Sequence, residues 1–124
     1  KIKTFGFVRD IHELIGAADL VMTKPGALST YETLASAVPA ALTAIGGVMP
    51  QESGLFHAAE RYGFAFPVAT FDELARIVGR GPMEWRKKRK AIASFYRPGS
   101  AADIIGRIQP LHDQSDSSLH AQFS

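Results

Sequence analysis

Cysteine is absent from the 124 residues, so neither a disulfide nor a thiolate metal ligand can form, which fits a reducing, cytoplasmic compartment. No apolar run approaches the roughly 20 residues that cross a bilayer, and Lys1-Ile2-Lys3-Thr4 does not open a signal peptide. A soluble or peripheral protein is expected. His12, His57, His112 and His120 show no ligand spacing with one another or with acids, so no metal is expected. Ser29 and Ser53 lack the G-x-S-x-G setting of a nucleophile elbow. Neither sign of charge dominates: 14 basic and 12 acidic residues leave a net +2, which predicts neither nucleic acid nor an acidic partner for the chain as a whole. The 46% hydrophobic content is enough to build one domain's core.

Among what is present, Thr23-Lys24-Pro25-Gly26-Ala27-Leu28-Ser29-Thr30-Tyr31-Glu32 organises the rest. An apolar run ending in Leu20-Val21-Met22 reads as a buried strand, and Leu28, Tyr31, Leu34 and Ala35 repeat at helical spacing. Pro25-Gly26 makes the turn between them. The first backbone N–H groups of the helix are then free, and the macrodipole is positive there, so an anion is the natural ligand. Glu32, about one turn further on, can reach a neighbouring sugar hydroxyl. A phosphate beside a carboxylate suggests a nucleotide. The bland alternative is an ordinary strand–helix connection with Glu32 as a solvated acid.

Lys1 to Val8 alternates and is β-rich, so a strand is expected from the first residue. Asp10 with Glu13 reads as a capping-box variant opening a helix through Ile11, Leu14 and Ile15. Pro39 to Ile45 reads as a buried strand, Gly46-Gly47-Val48-Met49-Pro50 as a flexible turn, and Leu55, Phe56, Ala59 and Tyr62 as one side of a helix closed by Gly63. Phe64 to Val68 is a further strand, and Thr70 with Glu73 a second capping box. The alternation of strands and helices implies a parallel sheet covered on both faces, with ligands outside the carboxyl ends of the strands. Met83 to Tyr96 is expected as one helix carrying Arg86-Lys87-Lys88-Arg89-Lys90. A last helix follows Ser100, and residues 110–124 are expected as a disordered tail.

Several motifs stand in order and spacing: Gly6-Phe7-Val8-Arg9-Asp10, Ala18-Asp19-Leu20-Val21-Met22-Thr23-Lys24-Pro25-Gly26, Glu32-Thr33-Leu34-Ala35, Val38-Pro39 and Pro50-Gln51-Glu52. Together they resemble the carboxyl-terminal half of the family 28 glycosyltransferases over about residues 5 to 78. That family includes monogalactosyldiacylglycerol synthases, bacterial diacylglycerol glucosyltransferases and the N-acetylglucosaminyltransferase of peptidoglycan lipid II. The resemblance implies an α/β, Rossmann-like parallel sheet, the incomplete carboxyl-terminal half of a GT-B fold. Residues 1–79 would then form the nucleotide-sugar-binding core and 80–109 the carboxyl-terminal helices. It also implies a UDP-sugar donor, with Val8 at the uracil, Gly26, Ala27, Leu28, Ser29 and Thr30 at the diphosphate, and Glu32 on both ribose hydroxyls. Gln51 and Glu52 would hold donor-sugar hydroxyls. The family usually has Pro-Gly where Met49-Pro50 stands and an Asn where Leu55 stands, which leaves the donor sugar open.

In the resembling enzymes the base that deprotonates the acceptor belongs to the amino-terminal half, so no catalytic residue is expected here, and no cofactor or metal. The family's two preceding strand–helix units are not in this sequence, which makes a fragment or one subunit of a split enzyme the expectation. The function implied is donor binding in an inverting, metal-independent transfer of a hexose to a lipid acceptor, with diacylglycerol favoured. The alternative is a non-catalytic nucleotide-sugar-binding module needing an acceptor-binding partner; a sugar-nucleotide epimerase fits less well. The basic run is either a solvated helix face or, with Trp85, Ile92 and Phe95 beside it, an interfacial helix on the anionic inner face of the plasma membrane. Nucleic acid is not an expected partner.

Overall fold

The computed structural model describes residues 1–108. In chain order these form α1 (Ile11–Ala17), β1 (Val21–Thr23), α2 (Ala27–Ala35), β2 (Ala40–Thr43), α3 (Pro50–Tyr62), β3 (Phe66–Val68), α4 (Phe71–Arg80), α5 (Pro82–Arg86) and α6 (Lys88–Phe95), followed by a helix over 100–108, α7.

β2 decides the architecture. Ala40, Ala41 and Leu42 are all buried, and successive side chains of a strand point to opposite faces, so both faces of this strand must be covered. β1 and β3 pair with it in parallel on its two sides, in the order β1-β2-β3, with Val21 opposite Ala40 and Ala41 opposite Phe66. On one face Ala40 and Leu42 meet Leu34 of α2, Ala59 of α3 and Ile92 of α6, together with Phe64 and Ala65. The Phe95 ring stacks on Phe64 there, with centroids 4.1 Å apart. On the other face Ala41, Phe66 and Val68 meet Ile77 of α4, with Trp85 of α5 packed alongside. This is the expected α/β, Rossmann-like sheet with helices on both faces.

Local chemistry sets several boundaries. The Thr70 hydroxyl accepts the Glu73 N–H at 3.2 Å while Glu73 Oε2 accepts the N–H groups of Ala69 (2.7 Å) and Thr70 (3.2 Å), so the expected capping box forms at α4. Gly63 closes α3 in the left-handed conformation at φ 71°, which costs a residue without Cβ nothing. Met49 precedes α3 with Pro50 at its first position, where the missing N–H is no loss.

Four expectations are corrected. Lys1 to Val8 forms no strand: Ile2 and Phe7 are each 94% exposed, and alternation without a ladder partner or a buried face stabilises nothing. Asp10 makes no side-chain cap bond, because at φ −102° and ψ 56° it lacks the extended backbone that aims a cap at the next turn; only its carbonyl takes the Glu13 N–H. The helix expected over Met83 to Tyr96 is two, joined at Lys87, whose N–H bonds the carbonyl of Glu84 three residues back in a tightened turn. Finally, the apolar side of the basic stretch is not an interfacial face. Trp85 Nε1–H donates to the Ile77 carbonyl at 2.7 Å, Ile92 is 1% exposed, and Phe95 packs on the first core cluster. The tail expected over 110–124 lies outside the described residues. Among those described, no helix is long and apolar enough to cross a membrane.

Candidate functional site

The carboxyl ends of β1 and β2 lie side by side because the strands are parallel and in register, with Thr23 opposite Leu42. Thr43 Oγ1 donates to the Thr23 carbonyl at 3.4 Å and ties the two ends together. Beyond β1 the chain turns at the buried Pro25 and enters α2 through Gly26. Gly26 carries no side chain that could cap the helix, α2 has no acid in its first turn, and its first backbone bond is from Thr30 N–H to the Gly26 carbonyl. The N–H groups of Ala27, Leu28 and Ser29 therefore have no intrahelical acceptor. α4, by contrast, is closed by its capping box.

Beyond β2, Gly46 and Gly47 take φ of 83° and 103°, a left-handed pair that turns the chain toward α3. Glu52, in the first turn of α3, accepts the Met49 N–H on Oε2 at 3.3 Å. Its Oε1 lies 3.9 Å from the point where a Cβ on Gly26 would sit. So Glu52 faces the start of α2 across the gap between two turns, and positions 26 and 52 share one small volume at the carboxyl rim of the sheet. The parallel pairing of β1 and β2 brings them together.

Of the other expected site residues, Glu32 is half-buried on α2 one turn past Leu28 and Ser29, and the general lean of helical side chains toward the amino terminus favours the side of the free amides for its carboxylate. It has no hydrogen-bond partner among the described residues. Thr30 is 1% exposed and its hydroxyl is buried without a partner. The Thr33 hydroxyl donates to the Thr30 carbonyl at 2.7 Å instead. Gln51 is exposed and reaches only the Met49 sulfur, 3.4 Å away. Val8 sits half-buried at the end of the irregular first segment, three residues before the start of α1, and among the described residues no hydrogen bond ties it to the α2 turn.

An α/β domain with uncapped helix amides at the carboxyl end of a parallel strand presents donors at the rim where ligands of such sheets commonly sit. Sequence comparison narrows the class. The chain is 28% identical over 110 residues to the processive diacylglycerol beta-glucosyltransferase of Bacillus cereus (strain 03BB102), an alignment covering 86% of this chain and 28% of the relative. The enzymes of the same name from Bacillus mycoides (strain KBAB4) and Bacillus anthracis (strain A0248) match to the same extent. This similarity relates the chain to glycosyltransferases. The chain spans little more than a quarter of the length of these relatives, 28%. No family model matches the chain, and no solved structure matches it.

Proposed function

We propose that this chain supplies the UDP-sugar-binding part of an inverting, metal-independent glycosyltransferase of family 28 and GT-B architecture that moves a hexose to a lipid acceptor, diacylglycerol in the first instance. The observation that carries the reading is the set of free N–H groups on Ala27, Leu28 and Ser29, placed at the carboxyl end of β1 with Glu52 facing Gly26 and Glu32 one turn further along α2.

In such a transfer the acceptor hydroxyl oxygen attacks the anomeric carbon from the face opposite the leaving group. The bond from that carbon to the diphosphate oxygen breaks, and the hydroxyl proton passes to a base. Negative charge then grows on the departing phosphate. Amides fixed at a helix amino terminus are already oriented toward that charge and stabilise it without reorganising, the service a metal ion gives in other transferases. Gly26 allows close approach of the phosphate, and Thr30 follows directly behind the free amides. Glu32 is a two-oxygen acceptor for the paired ribose hydroxyls, with Val8 on the uracil side. Gln51 and Glu52, at the rim of the second turn, read hydroxyls of the sugar. The acceptor and its base belong to a further part of the enzyme, so the purified chain binds donor and does not turn over.

Calorimetric titration with UDP in the presence of chelator tests the reading. Binding should persist, ADP should bind more weakly, and Glu32→Ala should lose about 1.5–3 kcal/mol, the range for hydrogen bonds to a charged acceptor. Loss of binding in chelator, or equal affinity for ADP, would remove the basis of the proposal.

A further inference from the structure

Along β3, the strand at the far side of the sheet from β1, a pocket of about 220 Å³ opens between Phe66 and α4, with Arg76, Ile77 and Arg80 among its walls. Arg76 and Arg80 are four residues apart and so rise from one side of the helix. Lys88, from the first turn of α6, places its ammonium 4.6 Å above the centre of the Phe66 ring. Burial, and then the charge of Arg80, hold the Lys88 pKa below its usual value. Two exposed guanidinium groups thus line the pocket, and a third cation, Lys88, lies over the Phe66 ring that forms part of its wall.

Cations outnumber acids in the pocket wall, two arginines to one glutamate. The acid in the wall, Glu73, has its carboxylate turned to the N–H groups of Ala69 and Thr70. Among the described residues none of the three cations forms an ion pair, whereas the neighbouring Arg86 pairs with Asp19 at 3.1 Å and Lys87 with Glu84. Arg80, in the last turn of α4, also answers the negative end of the helix dipole. The floor made by Phe66 and Ile77 is apolar, which strengthens any charge interaction held above it.

We infer that this pocket is a binding site for a phosphate group, a second anion site separate from the start of α2. Two guanidinium forks and one ammonium match a tetrahedral dianion, whose oxygens can take paired N–H donors from each fork. A monovalent spherical anion uses little of that geometry. The group could arrive free or as the head of a phospholipid; the chemistry recognised is the same. The inference does not depend on the nucleotide reading, since its residues border β3 and not β1, with β2 between them.

The test is a titration of the isotope-labelled full chain with inorganic phosphate, read by NMR at the backbone amides and the arginine side-chain N–H groups, against sodium chloride at equal ionic strength. Saturable shifts at Phe66, Arg76, Arg80 and Lys88 are expected with phosphate and not with chloride. Arg76→Gln with Arg80→Gln should weaken phosphate at this pocket about tenfold or more, the scale of a lost charge-assisted hydrogen bond. Lys88→Gln gives an independent variant should the pair disturb folding, and Arg89→Gln with Lys90→Gln is the control of equal charge change. Identical, non-saturating responses to phosphate and chloride would overturn the site, as would equal weakening by the control. Sedimentation with phosphatidylcholine vesicles, with and without phosphatidic acid, then separates the sources: co-sedimentation only with phosphatidic acid, abolished by Arg76→Gln with Arg80→Gln, assigns the headgroup. Phosphate saturation without co-sedimentation assigns the free anion.

Discussion

Replacing Ile92 by alanine asks whether the basic stretch is anchored in the core or open to a surface. Ile92 is 1% exposed and sits among Leu34, Leu42, Ala59 and Phe64, on the sheet face covered by α2, α3 and α6. Truncation removes its outer methyl groups and leaves a cavity, because β2 and the Phe64–Phe95 stack fix the surrounding walls. For a buried Ile→Ala change the cost is about 2–5 kcal/mol, and the rigid aromatic neighbours place this site in the upper half of that range. A domain of this size has a total stability of only about 5–15 kcal/mol, so the variant should unfold at markedly lower denaturant. Since 1 kcal/mol moves the midpoint of a domain near 100 residues by about 4–8 °C, a thermal melt should fall by well over 10 °C. Urea denaturation followed by Trp85 fluorescence measures it directly. A loss under about 1 kcal/mol would mean that α6 does not pack as described and that its apolar side is free for another surface.

Other outcomes test particular contacts. Thr70→Ala should cost about 1 kcal/mol through loss of the α4 cap, while Asp10→Ala should stay within about 0.5 kcal/mol because its side chain caps nothing; equal losses in urea denaturation would contradict both assignments. Thr30→Val should be neutral or stabilising, since it removes a buried hydroxyl that has no partner, and a loss above about 1 kcal/mol in the same assay would mean the hydroxyl is satisfied after all. The lowered pKa of Lys88 gives stability a direction with pH. Between the folded-state value and the ordinary lysine value the unfolded chain binds more protons, so this residue's contribution rises with pH across that window, its penalty being fully present below it. Lys88→Met, which keeps the stem over Phe66, should be more stable than the parent at neutral pH and lose that alkaline rise; an unchanged pH profile would refute the cause assigned.

How far the chain could be read from its residues varied with how local the deciding physics is. Pro25-Gly26 before α2, Gly63 after α3 and the Thr70–Glu73 pair at α4 act through backbone sterics and bonds spanning three or four residues, and each lies where its residue type indicates. The three strands were legible because β2 is apolar throughout and its neighbours lie between helices of crossover length. Lys1 to Val8 carries an equally good alternating pattern, yet a strand is defined by its partner, and pattern alone supplies none. Trp85 looked like the anchor of a surface helix; its burial follows from a carbonyl eight residues earlier that only the folded chain brings within 2.7 Å. The free amides of α2 were visible from spacing, whereas the approach of Glu52 to Gly26 depended on strand register and was not. The placing of Arg76 and Arg80 beside Phe66, with Lys88 over its ring, depends likewise on the packing of α4 and α6 against β3, which spacing along the chain does not reveal.

β1 stands at the end of the sheet order, so one side of its backbone faces outward with its N–H and C=O groups unpaired in the sheet. Such an edge is a template on which another extended strand can add, and Val21-Met22-Thr23 has no charge of its own to discourage it. Protection falls to the flanks, Asp19 before the strand and Lys24 after it, which act as charged gatekeepers. Asp19 is held by Arg86, so one gatekeeper is partly neutralised within the molecule, and Lys24 carries most of the repulsion. At this edge the charge that opposes strand addition is thus mainly that of Lys24, next to the start of α2. Removing that charge, or screening it with salt, should make the protein associate edge to edge before its core loosens.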